Sequence, residues 1–135
     1  MPFFCSFNSR DIILKKLAVV ITTPPYSNLT ITALHYIEAA LHININIVGV
    51  FFYQDGVLNA NSKVQIASDE FQTIKRWQAL HEQYQLPLHL CITAAEKHGI
   101  SDENESGSLI HDAFTISGLG ELVELSTNAE RLVQF

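Results

Sequence analysis

The stretch KLAVVIT, residues 16–22, indicates the fold class of this chain more directly than any other segment. It is a continuous apolar run rich in β-branched residues, and Thr23, Pro24 and Pro25 end it. A strand that is apolar along its whole length is typical of a parallel sheet covered on both faces. The run INIVGVFFY, residues 45–53, has the same character. The sequence therefore predicts two buried, parallel strands.

Helical patterns alternate with the strands along the rest of the chain. Residues 29–42 carry apolar side chains at helical spacing, and Ser27 or Asn28 can cap that helix. A second helix is predicted to open at Ser68 and to continue to Tyr84. Residues 86–93 read as a third strand, 119–128 as a helix and 131–135 as a last strand.

This alternation predicts the architecture of the whole chain. Strands joined by helices imply right-handed crossovers, so we expect a three-layer α/β/α domain over residues 15–135. Its sheet should be mainly parallel with roughly five strands. Residues 1–14 are predicted to be a poorly ordered N-terminal extension.

Composition limits the classes of partner. The 135 residues are 47% hydrophobic with a formal net charge of −6, which suits one domain and argues against a nucleic-acid surface. The two cysteines, Cys5 and Cys91, form neither a disulfide framework nor a paired zinc motif. We therefore expect a reducing, cytoplasmic environment. No apolar run is long enough for a membrane span.

Cys91 is the residue with the clearest chemical potential. A lone cysteine in a strand is usually a packing residue. However, ligands of open α/β sheets bind at the carboxyl ends of strands, and Cys91 lies near such an end. A helix starting near Ala94 would direct its N–H groups toward the sulfur and stabilise a thiolate or persulfide anion. The pattern supports a reactive cysteine and specifies no reaction.

Other candidate groups give weaker signals. His81, His89 and His98 surround Cys91 in sequence, and His89 shares its strand face. Two ligands on one element make a poor zinc site, so no metal is expected. The Asn-rich stretch GVLNANSK, residues 56–63, fits a turn better than a pocket. The stretch SGLG, residues 117–120, lacks the spacing of a phosphate loop and fits a bend with close backbone packing.

Four blocks occur in one order at close spacing: VFFYQDGVLNAN, ASDEFQTIKRWQAL, LHLCITAAEKHGI, and FTISGLGELVE with terminal RLVQF. Together they resemble the DsrE/TusD family of sulfur-relay proteins, from about residue 16 to residue 135. The resemblance implies a DsrE-like fold and a sulfurtransferase that carries sulfur as a cysteine persulfide. The sulfur-carrying cysteine of the family lies in the third block, which maps it to Cys91.

The resemblance also implies partners. Subunits of this kind assemble with TusB-like and TusC-like subunits as a dimer of heterotrimers. The complex takes sulfur from a TusA-like donor and passes it to a TusE-like acceptor, toward 2-thiouridine in tRNA wobble positions. No metal, nucleotide or organic cofactor is implied, and no direct contact with tRNA or membrane. The Asn-rich loop after the second strand is expected to form the rim of the Cys91 site.

Three alternatives remain open. One is a DsrE-like subunit acting in sulfur oxidation, and another is a non-catalytic structural subunit of the same kind of complex. The third is a module that binds a nucleotide or another small molecule. It would require a Gly-rich phosphate loop after the first strand, where TTPPYSN, residues 22–28, stands instead. Proline has no N–H group to donate to a phosphate.

Overall fold

The computed structural model describes residues 15–100 and 109–135, and its centre is a five-stranded sheet. The spatial order is β4-β3-β2-β1-β5, and every pair of neighbouring strands is parallel. The predicted α/β class with a mainly parallel, roughly five-stranded sheet is confirmed. The strands are β1 (Lys16–Ile21), β2 (Asn46–Phe52), β3 (Leu88–Cys91), β4 (Phe114–Ser117) and β5 (Arg131–Gln134).

Helices cover both faces of this sheet. The Phe52 ring of β2 packs edge-on against Trp77, whereas a Cβ atom on Gly49 of the same strand would touch Leu125. Because residues 49 and 52 point to opposite faces, the helices bearing Trp77 and Leu125 lie on opposite sides. The helices are α1 (Asn28–His42), α2 (Thr73–Tyr84), α3 (Ile92–Lys97) and α4 (Leu119–Asn128), with a 3-10 helix at Gln54–Ala60.

Two elements, the second long helix and the third strand, have boundaries that differ clearly from the sequence-based expectation. The second long helix begins at Thr73 and not at Ser68. The Gln72 side-chain amide donates to the carbonyls of Ala67 and Glu70, which holds the preceding segment in a turn. The third strand ends at Cys91 and not at Thr93.

The β4 strand was not predicted, because the sequence places a bend there. Its four residues, FTIS, leave Thr115 and Ile116 exposed at the sheet edge. Such a strand is too short and too open to show the apolar run of the central strands. The predicted helix at 119–128 and the start of the last strand at residue 131 are confirmed.

The predicted N-terminal extension, with Cys5, lies outside the described residues. So does the acidic stretch SDENES, residues 101–106. The described residues include no helix that is both long and apolar enough to cross a membrane.

One carboxylate ties the start of β1 to the start of β5. Glu130 Oε1 accepts hydrogen bonds from the backbone N–H groups of Lys15 at 2.6 Å and Lys16 at 3.0 Å. These two bonds stabilise the charged form and lower the pKa of Glu130 below its ordinary value of 4.5. The contact depends on ionisation of a side chain that water reaches freely.

We expect the free energy of unfolding of Glu130→Gln to change less with pH in the acid range than that of the wild type. In the wild type, this carboxylate stabilises the fold above its unfolded pKa, near 4.5. The contribution disappears as the pH falls through the lower folded value. A neutral amide has no such loss. Denaturant unfolding at a series of acid pH values measures the difference between the two chains, and parallel curves for both would contradict the assignment.

Candidate functional site

The carboxyl edge of the sheet places Cys91 at a junction of three elements. Cys91 is the last residue of β3, and α3 begins at the next residue, Ile92. On the neighbouring strand its register partner is Ser117, the last residue of β4. The predicted position of the cysteine at a strand end is therefore confirmed.

The environment of the sulfur is more closed than that of an open strand end. Cys91 is fully buried, with a relative exposure of 0%. Its side chain occupies the N-cap position of α3 and accepts no capping hydrogen bond. The helix starts two residues before the predicted Ala94, so the chain turns immediately after the sulfur-bearing residue. A reagent must reach this thiol through a neighbouring opening.

Such an opening lies beside the first turn of α3. A cleft of about 170 Å³ is bounded by the carboxyl end of β2, by α3 and by the start of α4. Cys91 itself does not line it, but Thr93 and Ala94, just after it in the chain, do. The complete lining is Tyr53, Gln54, Thr93, Ala94, Lys97, His98 and Leu119.

The Asn-rich segment, residues 56–63, does not line this cleft, contrary to the expectation that it forms the rim. The lining residues Tyr53 and Gln54 precede the segment. Asn59 is fully buried. Its amide donates to the carbonyls of Thr23 at 3.0 Å and Gly56 at 2.8 Å, and it accepts from Trp77 Nε1 at 2.9 Å. Residues 56–60 therefore belong to a 3-10 helix with a structural asparagine, and the predicted turn is confined to residues 61–63, where the N–H of Lys63 donates to Asn61 Oδ1 at 2.9 Å.

Close packing fixes this 3-10 helix against β1. A Cβ atom on Gly56 would collide with the backbone carbonyl of Ile21. Only glycine allows so close an approach of two backbones. Tyr53 and Gln54 are thereby held at a fixed distance from the end of β1, which sets one wall of the cleft.

The three histidines near Cys91 each have a separate partner. His81 Nδ1 lies 2.8 Å from the carbonyl of Leu86, and His98 Nε2 lies 3.2 Å from Asp55. His89 Nδ1 lies 3.1 Å from Ser117 Oγ. In the described parts of the chain, no three metal-ligating side chains come together. Sequence analysis did not predict the pairings of His89 and His98, because each joins residues that are far apart in the chain.

The SGLG stretch ends β4 and begins α4. Gly118 is the N-cap residue of that helix and provides no side-chain cap. A Cβ atom on Gly118 or Gly120 would meet nothing within 4 Å. The expected close backbone packing is therefore wrong, and in place of a separate bend the stretch holds the last residue of β4, an N-cap and the first residues of α4.

Sequence comparison defines the class to which this fold and site belong. The model of the DsrE/DsrF-like family matches residues 15–135. The chain therefore belongs to the DsrE/DsrF-like family.

Individual relatives are similar along almost their whole length. Sulfurtransferase TusD of Klebsiella pneumoniae subsp. pneumoniae is 38% identical over 127 residues, which covers 89% of this chain and 99% of the relative. Sulfurtransferase TusD of Salmonella paratyphi B is 39% identical over the same length and coverage. The expectation of a sulfurtransferase similar to TusD is confirmed, and these relatives support a role in a sulfur relay.

A solved structure supports the fold independently. The crystal structure of the ychN protein from E. coli superposes with a TM-score of 0.72 at 20% identity. The match covers 91% of this chain and 100% of that chain. At this level of identity, the likeness concerns the arrangement of strands and helices alone.

Proposed function

We propose that this chain accepts sulfur as a persulfide on Cys91 and passes it to an acceptor protein in the relay that forms 2-thiouridine at tRNA wobble positions. The observation that carries the proposal is the position of Cys91. It is the only cysteine in the described residues, and it ends a central strand beside a small cleft. The similarity to sulfurtransferase TusD supports the reaction class.

The reaction needs only thiol chemistry. The Cys91 thiolate attacks the outer sulfur of a persulfide on the donor, a new S–S bond forms, and the donor cysteine leaves as a thiolate. Cys91 then carries the persulfide. In the second half, an acceptor thiolate attacks the terminal sulfur, and Cys91 leaves as a thiolate. The two steps transfer one sulfur atom with no net oxidation or reduction.

Each half-reaction requires a partner protein at the same cleft. The proposed donor is TusA-like and the proposed acceptor TusE-like, and neither has to bring tRNA to this chain. The net charge of −6 fits that division, because a protein that holds no nucleic acid needs no basic surface. Lys97 at the cleft adds a local positive charge beside the site where the anionic persulfide forms.

The proposal is tested by intact mass after incubation with a persulfide donor. We expect the chain to gain one sulfur atom, which a reductant releases, and peptide mapping to place it on Cys91. Sulfur on no residue, or on Cys5 alone, would contradict the proposal. Retention of a nucleotide in place of sulfur would favour a small-molecule module.

We further expect the chain to be a subunit of a larger assembly with TusB-like and TusC-like partners. Ile43 and Tyr84, at the amino edge of the sheet and away from Cys91, are 66% and 41% exposed. Large apolar side chains exposed in this way are typical of an interface. Closed symmetry would pair two heterotrimers about a two-fold axis.

Light scattering on the chain co-expressed with its two partners measures this assembly. We expect a single species with the mass of a dimer of heterotrimers, whereas the chain alone should associate with itself. A monodisperse monomer that the partners leave unchanged would overturn the assembly and favour a free-standing carrier.

A further inference from the structure

One contact joins two walls of the cleft beside Cys91. His98 Nε2 lies 3.2 Å from Asp55 Oδ1. His98 is the C-cap residue of α3 and lines the cleft, whereas Asp55 follows the lining residue Gln54 in the first turn of the 3-10 helix. Among the residues that the structure describes, this is the only polar contact from a side chain of residues 92–98 to another element.

The wall that bears Asp55 is held firmly. The 3-10 helix approaches β1 so closely that a Cβ atom on Gly56 would collide with the backbone of Ile21. The buried side chain of Asn59 also bonds this helix to the end of β1 and to Trp77 of α2. Asp55 therefore projects from a rigid part of the structure.

The wall formed by α3 is held much more lightly. The helix has six residues, and only Ala94 and Ala95 among them are buried. Two alanine methyl groups remove little apolar surface from water, so their packing contributes little to holding the helix in place. Gly99, with a φ of 71°, ends the helix, and Ile100 fixes the chain after it with an exposure of 3%. Between its two fixed ends, α3 is a segment of low local stability.

The position of α3 affects the surroundings of the thiol directly. Up to Cys91 the chain is held in the sheet, where β3 pairs with β2 on one side and with β4 on the other. The chain leaves the sheet at Ile92, the first residue of α3, which is bonded to Cys91 itself. A displacement of α3 therefore changes the environment of a side chain that has no accessible surface in the closed arrangement.

We propose that the contact between Asp55 and His98 is a latch that holds α3 against the 3-10 helix and limits access to Cys91. The proposal rests on the proposed function, because sulfur transfer requires another protein to reach a thiol that is fully buried. When the contact breaks, α3 moves away from the 3-10 helix and the cleft widens toward the thiol. The latch thereby sets the fraction of time in which Cys91 can react.

The test measures access to Cys91 without any sulfur chemistry. Alkylation of Cys91 by iodoacetamide is followed by mass spectrometry at neutral pH, in a Cys5→Ser background. We expect His98→Ala and Asp55→Ala each to raise the rate about 1.5- to 5-fold, the effect of losing a partly exposed ion pair. Either variant decides the matter if the other does not fold.

A double variant shows whether the two residues act through one contact. The chain with both His98→Ala and Asp55→Ala should react no faster than the faster single variant, because the same contact is lost in each. Glu96→Ala is the matched control, since Glu96 is an exposed residue of the same helix. Its alkylation rate should equal that of the background chain.

Hydrogen exchange separates opening of α3 from a change in the thiol. The backbone N–H groups of α3 should exchange faster in both latch variants, by a factor similar to that of alkylation, since both processes require the helix to move. The N–H groups of the central strands should exchange as in the background chain. Faster exchange throughout the sheet would indicate general destabilisation and overturn the latch.

The remaining outcomes also decide between the alternatives. An unchanged alkylation rate, a faster rate without faster exchange in α3, or multiplying effects in the double variant would each overturn the latch. Sulfur loading from a persulfide donor is read on the same chains. If the background chain gains no sulfur while alkylation still depends on Asp55 and His98, the proposed function fails and the latch stands.

Discussion

Cys91→Ser abolishes sulfur acceptance: this is the expected result with the largest effect on activity. A serine hydroxyl does not form a persulfide, so the mass gain of one sulfur atom should fall to background. The change replaces sulfur by oxygen and leaves the shape of the side chain nearly unchanged. The loss should therefore concern the chemistry and not the fold.

The burial of Cys91 adds a stability effect to this variant. The serine hydroxyl would stand in a fully buried position, where an unpaired polar group costs about 1–3 kcal/mol of folding free energy. The protein should still fold, with a slightly lower unfolding midpoint. Cys91→Ala, which introduces no polar group, should show the same loss of sulfur acceptance.

Cys5→Ser is the matched control for both variants, and it should gain sulfur at the wild-type rate. Two results would remove Cys91 from the proposal. One is a Cys91→Ser chain that still gains a sulfur released by reductant. The other is a persulfide found only on Cys5.

The largest expected effect on stability comes from Asn59→Ala. Its side chain makes three hydrogen bonds that join the end of β1, the 3-10 helix and α2. Alanine leaves the Gly56 carbonyl and the Trp77 indole N–H without these partners in the interior, whereas the Thr23 carbonyl keeps a hydrogen bond from the Thr30 hydroxyl. We expect a loss of about 3–5 kcal/mol, since each buried polar group left unpaired costs about 1–3 kcal/mol.

Trp77 is the only tryptophan, so its fluorescence reports the unfolding midpoint in denaturant. Asn28→Ala, at an exposed position in α1, is the matched control and should shift stability by no more than about 0.5 kcal/mol. An Asn59→Ala chain as stable as this control would show that the three bonds contribute little. Sulfur loading of the folded fraction should be retained, because Asn59 does not line the cleft.

The fold was predictable to the extent that it depends on local patterns. The runs at 17–21 and 47–53 carry apolar residues and glycine almost without interruption, and only a sheet covered on both faces accommodates them. The β4 strand escaped prediction because its edge position leaves Thr115 and Ile116 in water. The start of α2 escaped because a side chain, that of Gln72, forms the preceding turn.

The candidate site was predictable only in its central residue. The strand-end position and the sequence block point to Cys91, whereas its burial follows from packing between elements far apart in the chain. The pairing of His89 with Ser117 spans 28 residues, and no local spacing signals it. Tyr53 follows the end of β2, and Lys97 ends α3. Because parallel strands end at one edge of the sheet, where ligands bind, both residues could have been proposed as part of the site.

On the proposed function, the burial of Cys91 bears on how long a bound sulfur survives. Small thiols such as glutathione would reduce an exposed persulfide and release its sulfur between the two encounters. Cys91 has no accessible surface in the native fold, so a small thiol reaches its sulfur only when the surrounding structure moves. The lifetime of a persulfide on Cys91 should then depend chiefly on how often that movement occurs, so that sulfur leaves mainly toward a docked acceptor.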